Sequence, residues 1–279
     1  MILLIWLELQ KMFKKWRTYI GFIAIGFLAI VVQVALYFTG AREIDHQMRG
    51  MEQSFIMVGN LFNGYFIARI ILMALIIHIP FLIVIVGGDL LSGEATAGTY
   101  RMLLTRPASR FQVVTAKFIA GWISVLLLLV WLMFLSLVVS LLIFGSGPLL
   151  SFQGMKLVIF AENDILWRFC SAYIFAFISM STVISISIFF SSFVQNAIGP
   201  IAATMAVIII FIILSALPVD FFQTIKPYLF TNHMTQWSGF FSDPVDYSDI
   251  FRSVWILLAH IVVIYGITTY IFIKKDILS

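Results

Sequence analysis

Long apolar stretches alternate with short polar ones along the chain, and within each stretch the apolar residues are continuous rather than every second one. A helix needs about 20 consecutive, mostly apolar residues to cross the hydrocarbon core of a bilayer. Six runs meet that need, at about residues 18–39, 69–87, 117–144, 169–192, 197–217 and 253–273. Barrel strands would read as short pieces of alternating polarity, and only helices or closed barrels satisfy the backbone inside lipid. The pattern therefore predicts an all-α integral membrane protein, a single transmembrane domain over residues 1–279 with six transmembrane helices.

The start of the chain has a different period. Ile2, Ile5, Leu9, Met12 and Trp16 recur at steps of three and four, flanked by Trp6 and Phe13, while Glu8, Gln10, Lys11, Lys14, Lys15 and Arg17 fall on the other side. This predicts an amphipathic in-plane helix over 1–17, with Trp6, Phe13 and Trp16 in the interface and Lys11, Lys14, Lys15 and Arg17 toward lipid phosphates. The plainer alternative is a cytosolic prolongation of the first span.

The connections differ in kind. SSFVQNAIGP leaves so little chain between the fourth and fifth runs that these must form an antiparallel hairpin. Residues 218–252 form a long outer loop dense in aromatics, read as a membrane-seated cap or as the lining of an exit path. Small residues four apart, Ala116, Ala120 and Ser124, then Ser181 and Ser185, then Gly199 and Ala203, predict close helix packing.

Composition agrees with the pattern: 62% of residues are hydrophobic and 11% charged. Placing the N-terminus inside puts ten of the 17 lysines and arginines in short cytoplasmic segments, so both termini are expected to be cytoplasmic. The formal charge of +4 then reflects anchoring at the membrane surface and gives no reason to expect nucleic acid. Cys170 is the single cysteine, which excludes an internal disulfide and a cysteine metal site and leaves it as a small packing residue of the fourth span. Apolar residues precede the basic ones at the start, the reverse of a secretory leader.

One polar segment stands apart, GDLLSGEATAGTYRMLLTRPASR, residues 88–110. Gly87 and Gly88 are read as ending the second span, Asp89 and Glu94 as acids near a helix start, and ATAGTYRMLLT as a short helix stopped by Pro107. Ser109 with Gln112 fits a capping box that starts the third span. Met102, Leu103 and Leu104 could enter a groove on a docked protein, while Arg101, Arg106 and Arg110 meet acidic rims or lipid phosphates. An ordinary loop whose arginines obey the positive-inside rule has the same composition.

The succession Glu94, Gly98-Thr99, Leu103-Leu104, Thr105, Pro107, Ser109-Arg110 and Lys117 resembles the signature of ABC-2-type permeases, the membrane subunits of type V ABC transporters. The resemblance implies an exporter of the bacterial cytoplasmic (inner) membrane in which two six-span subunits, a homodimer or else a heterodimer, work with two copies of a separate ATP-binding subunit. That subunit would dock on the in-plane helix and around residues 94–106, with Glu94 bracing the segment, Gly98 allowing close approach and Thr99 bonding nearby backbone. ATP and Mg would be held by the partner, and no residue of this chain would be catalytic. The sequence has no G-x-x-x-x-G-K-[ST] phosphate loop, and none of its lysines is followed by Ser or Thr.

Two other classes compete. An ion-coupled secondary transporter needs ionisable groups at mid-membrane depth, and the sequence places only His78 and His260 there, with no buried Asp or Glu. A non-transporting anchor of an ATPase-driven machine would share the fold.

Overall fold

The computed structural model describes residues 1–52, 62–96, 98, 108–153 and 156–275. Among these, six helical segments are long and apolar enough to cross a membrane: Trp16–Gly40, Ile79–Thr96, Arg110–Phe144, Glu162–Ser191, Ile198–Ala216 and Tyr247–Lys274. A helix at the start, α1 (Ile2–Phe13), turns at Lys14–Lys15 into α2 (Trp16–Glu52). The turn is held by Thr18, whose Oγ1 donates to the Met12 carbonyl at 2.6 Å and so satisfies one of the free carbonyls at the end of α1.

The second crossing differs from the apolar run at 69–87. The chain forms α3 (Gly64–Ile76), breaks at Ile77–His78, and continues as α4 (Ile79–Thr96). Pro80 lacks the N–H that would extend α3. His78 Nδ1 donates to the Ala74 carbonyl at 2.8 Å and uses one of the acceptors at that end. Gly87 and Gly88 do not end the helix. They are buried in its middle, and Asp89 and Glu94 lie toward its C-terminus rather than at a helix start.

The third crossing begins at α5 (Arg110–Met133), where Ser109 and Gln112 form the reciprocal capping box. It passes through a π-helical turn, Phe134–Val139, into α6 (Ser140–Phe144). A π-turn misaligns the carbonyl row of its helix, and the buried Gln33 of α2 answers it. Gln33 Nε2 donates to the Leu135 carbonyl at 2.8 Å and to Ser140 Oγ at 3.0 Å. Gln33→Leu should therefore cost about 1–2 kcal/mol by leaving that carbonyl unsatisfied, read as a lower thermal unfolding midpoint in detergent micelles.

An antiparallel ribbon, β1 (Leu149–Gln153) with β2 (Lys156–Phe160), follows. Then come α7 (Leu166–Ser191), α8 (Ile198–Ala216), two short helices α9 (Asp220–Ile225) and α10 (Phe230–His233), and α11 (Tyr247–Lys274). The core gathers around α7, which packs on α4, α5, α8 and α11. Cys170 is exposed on α7 and does not pack inside the bundle. Of the predicted small-residue contacts, Ala116, Ala120, Ser124, Ser181 and Ser185 are buried, whereas a Cβ on Gly199 would meet nothing closer than 3.5 Å.

The aromatic segment 218–252, whose last residues begin α11, divides. Phe230, Trp237, Phe240 and Phe241 are buried, while Phe221, Tyr228, Tyr247 and Phe251 face outward. Arg168, on α7, holds the inner part by donating Nη1 to the carbonyls of Phe240 and Ser242 at 2.7 and 3.0 Å.

Candidate functional site

The features that bear on function converge where α1, the last turns of α4 and the first turns of α5 meet, at the end of the bundle from which residues 97–107 depart. Lys117 of α5 is 1% exposed, with Glu8 of α1 at 6% and Glu94 of α4 at 7%. Lys117 Nζ donates to Glu8 Oε2 at 2.7 Å, to Glu94 Oε1 at 2.9 Å and to the Leu90 carbonyl at 2.8 Å. An ammonium has three N–H bonds, and this one uses all of them. Lys11 of α1 closes a ring by donating to Glu8 Oε1 at 2.7 Å and Glu94 Oε1 at 2.9 Å. Two acids and two lysines alternate, so the ring carries no net charge. That neutrality and the complete bonding of Lys117 are what make burial of these ions tolerable.

A second group sits beside it. Asp89 accepts from Lys15 Nζ at 2.5 Å and from Arg17 Nη1 at 3.1 Å. Gly93 makes room for the first pair, because a Cβ there would lie 2.5 Å from Asp89 Oδ1 and 3.0 Å from Lys15 Nζ. Together the two groups fasten the whole N-terminal segment to α4 and α5 by charge.

This corrects the wheel reading of residues 1–17. Glu8, sorted with the polar face, is buried, and Lys11, Lys15 and Arg17 engage carboxylates of this chain. Trp6 and Trp16 are exposed, Phe13 is partly buried against the core, and Lys14 is exposed. Two acids, Glu8 and Glu94, are buried, each with its cations, and both stand at this end of the bundle rather than along the middle of a span. Lys117, one of the ten lysines and arginines counted on the cytoplasmic side, is interior.

The other expected site residues divide. Gly98 lies in a turn with φ +65°, a left-handed conformation suited to glycine, and among the described residues nothing lies within 4 Å of its would-be Cβ. Ser109 caps α5, and Arg110 Nη1 donates to the carbonyls of Ile273 and Lys275 at 2.8 and 2.7 Å, capping α11. Thr99, Arg101, Met102, Leu103, Leu104, Arg106 and Pro107 lie outside the described residues. His260 Nδ1 donates to the Ile256 carbonyl of its own helix at 2.8 Å.

Glu8 was the residue hardest to see in the sequence. Its only signal is the Glu8–Lys11 spacing of three, which puts opposite charges on one helix face. Lys117 was more legible: steps of three and four from Val113 to Ala120 and Ser124 put it on the face of small residues that turns inward.

Six long apolar helices around a common core define a multi-pass α-helical membrane protein. The chain belongs to the ABC-2 transporter family: the model of that family, described as ABC-2 family transporter protein, matches residues 2–277. It is thus an ABC transporter permease, and membership implies partnering with an ATP-binding subunit. No curated protein shows significant similarity to the chain.

Proposed function

We propose that this permease is an exporter of the bacterial cytoplasmic membrane, driven by ATP hydrolysed on a separate subunit that docks around residues 94–106. Both termini face the cytoplasm, two copies of the chain pair across the membrane, and two ATP-binding subunits bind beneath them. ATP and Mg are held by those subunits, and this chain performs no chemistry of its own. α1 lies in the plane of the membrane with its exposed Ile2, Leu3 and Trp6 in the interface, joined there by the exposed Trp16 at the start of α2.

The observation that carries this reading is the ring of Glu8, Lys11, Glu94 and Lys117. It joins α1, α4 and α5 at the two ends of the segment that would receive the partner. A push on residues 97–107 then moves three helices as a unit rather than bending one, which is what conversion of domain closure into tilting of spans requires. Glu94 braces the segment as a member of the ring.

The test is co-purification with the ATP-binding subunit. Leu103→Asp places a charge in the apolar dock and should lower recovery of that subunit about tenfold or more, as burial of an unpaired charge at an interface costs several kcal/mol, while yield of the permease stays unchanged. Recovery at the wild-type level would reject docking at this segment.

A further inference from the structure

α4 and α7 meet along a row of hydroxyls from one helix placed on carbonyls of the other. Ser187 Oγ donates to the Val84 carbonyl at 3.1 Å, and one turn further Ser191 Oγ donates to the Gly88 carbonyl at 2.7 Å. Ser191 alone of these two also accepts, from the Ser92 N–H at 2.8 Å and the Leu91 N–H at 3.2 Å. In a regular α-helix the N–H of residue 92 and the carbonyl of residue 88 are each other's partners. The Ser191 hydroxyl therefore bridges a donor and an acceptor that belong to one rung of α4, and a side chain inserted into such a ladder is a known place for a helix to bend. Ser92 Oγ donates to the same Gly88 carbonyl at 2.5 Å.

The surroundings leave no slack. Ser92, Ser187 and Ser191 are all 0% exposed, so bulk solvent does not reach a lost bond. A Cβ on Gly87 would lie 2.8 Å from Ser187 Cβ, and one on Gly88 would lie 2.8 Å from Ile201 Cγ1 of α8. The turn between α7 and α8 is held from two more sides. Thr96 Oγ1, at the end of α4, donates to the Gln195 carbonyl, and Lys275 Nζ donates to the Ser192 carbonyl at 2.8 Å.

We infer that Ser191 is a positioning residue that transmits displacement of the end of α4 to the turn between α7 and α8, so that the fourth and fifth spans follow the coupling segment. Any bending or straightening of α4 at Gly88–Ser92 changes all three Ser191 bonds together. The end of α7 must then either move with α4 or leave buried polar groups unpaired, and the second course is the more costly. This inference rests on the proposed docking of the ATP-binding subunit beside residues 94–106.

Hydrogen–deuterium exchange of the complex in nanodiscs, with and without ATP plus vanadate, tests it. In the wild type, nucleotide trapping should change exchange in peptides covering 92–110 and in peptides covering 190–201. Ser191→Ala should keep the first change and reduce the second about fivefold, the effect of losing on the order of one net hydrogen bond. Ser191→Cys, which keeps a single γ atom that bonds only weakly, should fall on the alanine side. Ser187→Ala, which removes a hydroxyl that only donates, should keep both. A full 190–201 response in Ser191→Ala overturns the assignment, and so does an equal loss in Ser187→Ala, which would make the effect one of packing. Failure of the docking reading has a different signature: no change at 92–110 in the wild type itself, which removes the basis of the inference as well.

Discussion

Lys117→Met should destabilise the protein by about 3–5 kcal/mol, the cost of leaving buried carboxylates without their cation. The substitution keeps the length of the side chain and its apolar stem, so packing inside α5 changes little. What is lost is the donor to Glu8, Glu94 and the Leu90 carbonyl. Lys11 remains as a second cation, but it is far more exposed than Lys117 and is screened by solvent. The ring then carries two acids and one lysine in place of two and two. The measurement is the thermal unfolding midpoint of the purified permease in micelles, followed by intrinsic fluorescence.

The control decides between charge and packing. Glu8→Gln combined with Lys117→Met removes one acid along with the buried cation, restores neutrality, and should recover more than half of the loss, since a neutral buried set is far less costly than an unbalanced one. If the single and double variants unfold together, the effect belongs to the shape of Lys117. If Lys117→Met unfolds like the wild type, the ring does not hold α1 against α4 and α5.

How much of this could be read in the sequence depends on the kind of signal each feature leaves. A crossing helix is announced by a continuous apolar run, and the first, third, fourth, fifth and sixth helices fall close to theirs. The second was displaced because hydropathy is blind to a break: the run at 69–87 joins the end of α3 to the start of α4 across Ile77, His78 and Pro80, all of which sit among apolar neighbours. The Gly87-Gly88 pair misled in the opposite way. Paired glycines are read as a stop, but here they let α7 and α8 approach α4 closely. The Ser109–Gln112 box was legible because both partners lie within one turn of each other in sequence.

The charge ring is nonlocal. Its members stand at 8, 11, 94 and 117, and only the Glu8–Lys11 pair is close enough in sequence to be seen as a pair. A helical wheel sorts residues by polarity and treats every charge as solvent-facing, so it assigned Glu8 to the outside. Composition cannot say which lysine of a basic chain is interior. The family signature did contain Glu94 and Lys117, but as spaced letters; that they are in contact through 2.9 Å is a property of the fold.

At the opposite end of the bundle, Gly64→Ala should cost about 2–3 kcal/mol, toward the upper end of the range for overpacking. Gly64 opens α3, and its N–H donates to the Gly145 carbonyl at 2.8 Å, while Asn63 caps the helix and donates Nδ2 to the Pro148 carbonyl at 2.7 Å. The start of α3 is thereby pressed against α6. A Cβ on Gly64 would lie 2.6 Å from Leu141 Cα and 2.7 Å from Leu141 N and the Ser140 carbonyl oxygen. These are backbone atoms within a helix, so no rotamer change relieves the contact, and α3 and α6 must separate. Gly199→Ala, in the first turn of α8, is the matched comparison, since its Cβ would find only ordinary contacts, with Val194 and Asn196 of the preceding turn. There the loss of a helical glycine should be neutral or stabilise by about 0.5–1 kcal/mol. Unfolding midpoints of both variants, taken side by side in the same micelles, should separate, Gly64→Ala falling while Gly199→Ala stays level or rises. A Gly64→Ala midpoint equal to the wild type would mean that α3 does not bear on α6.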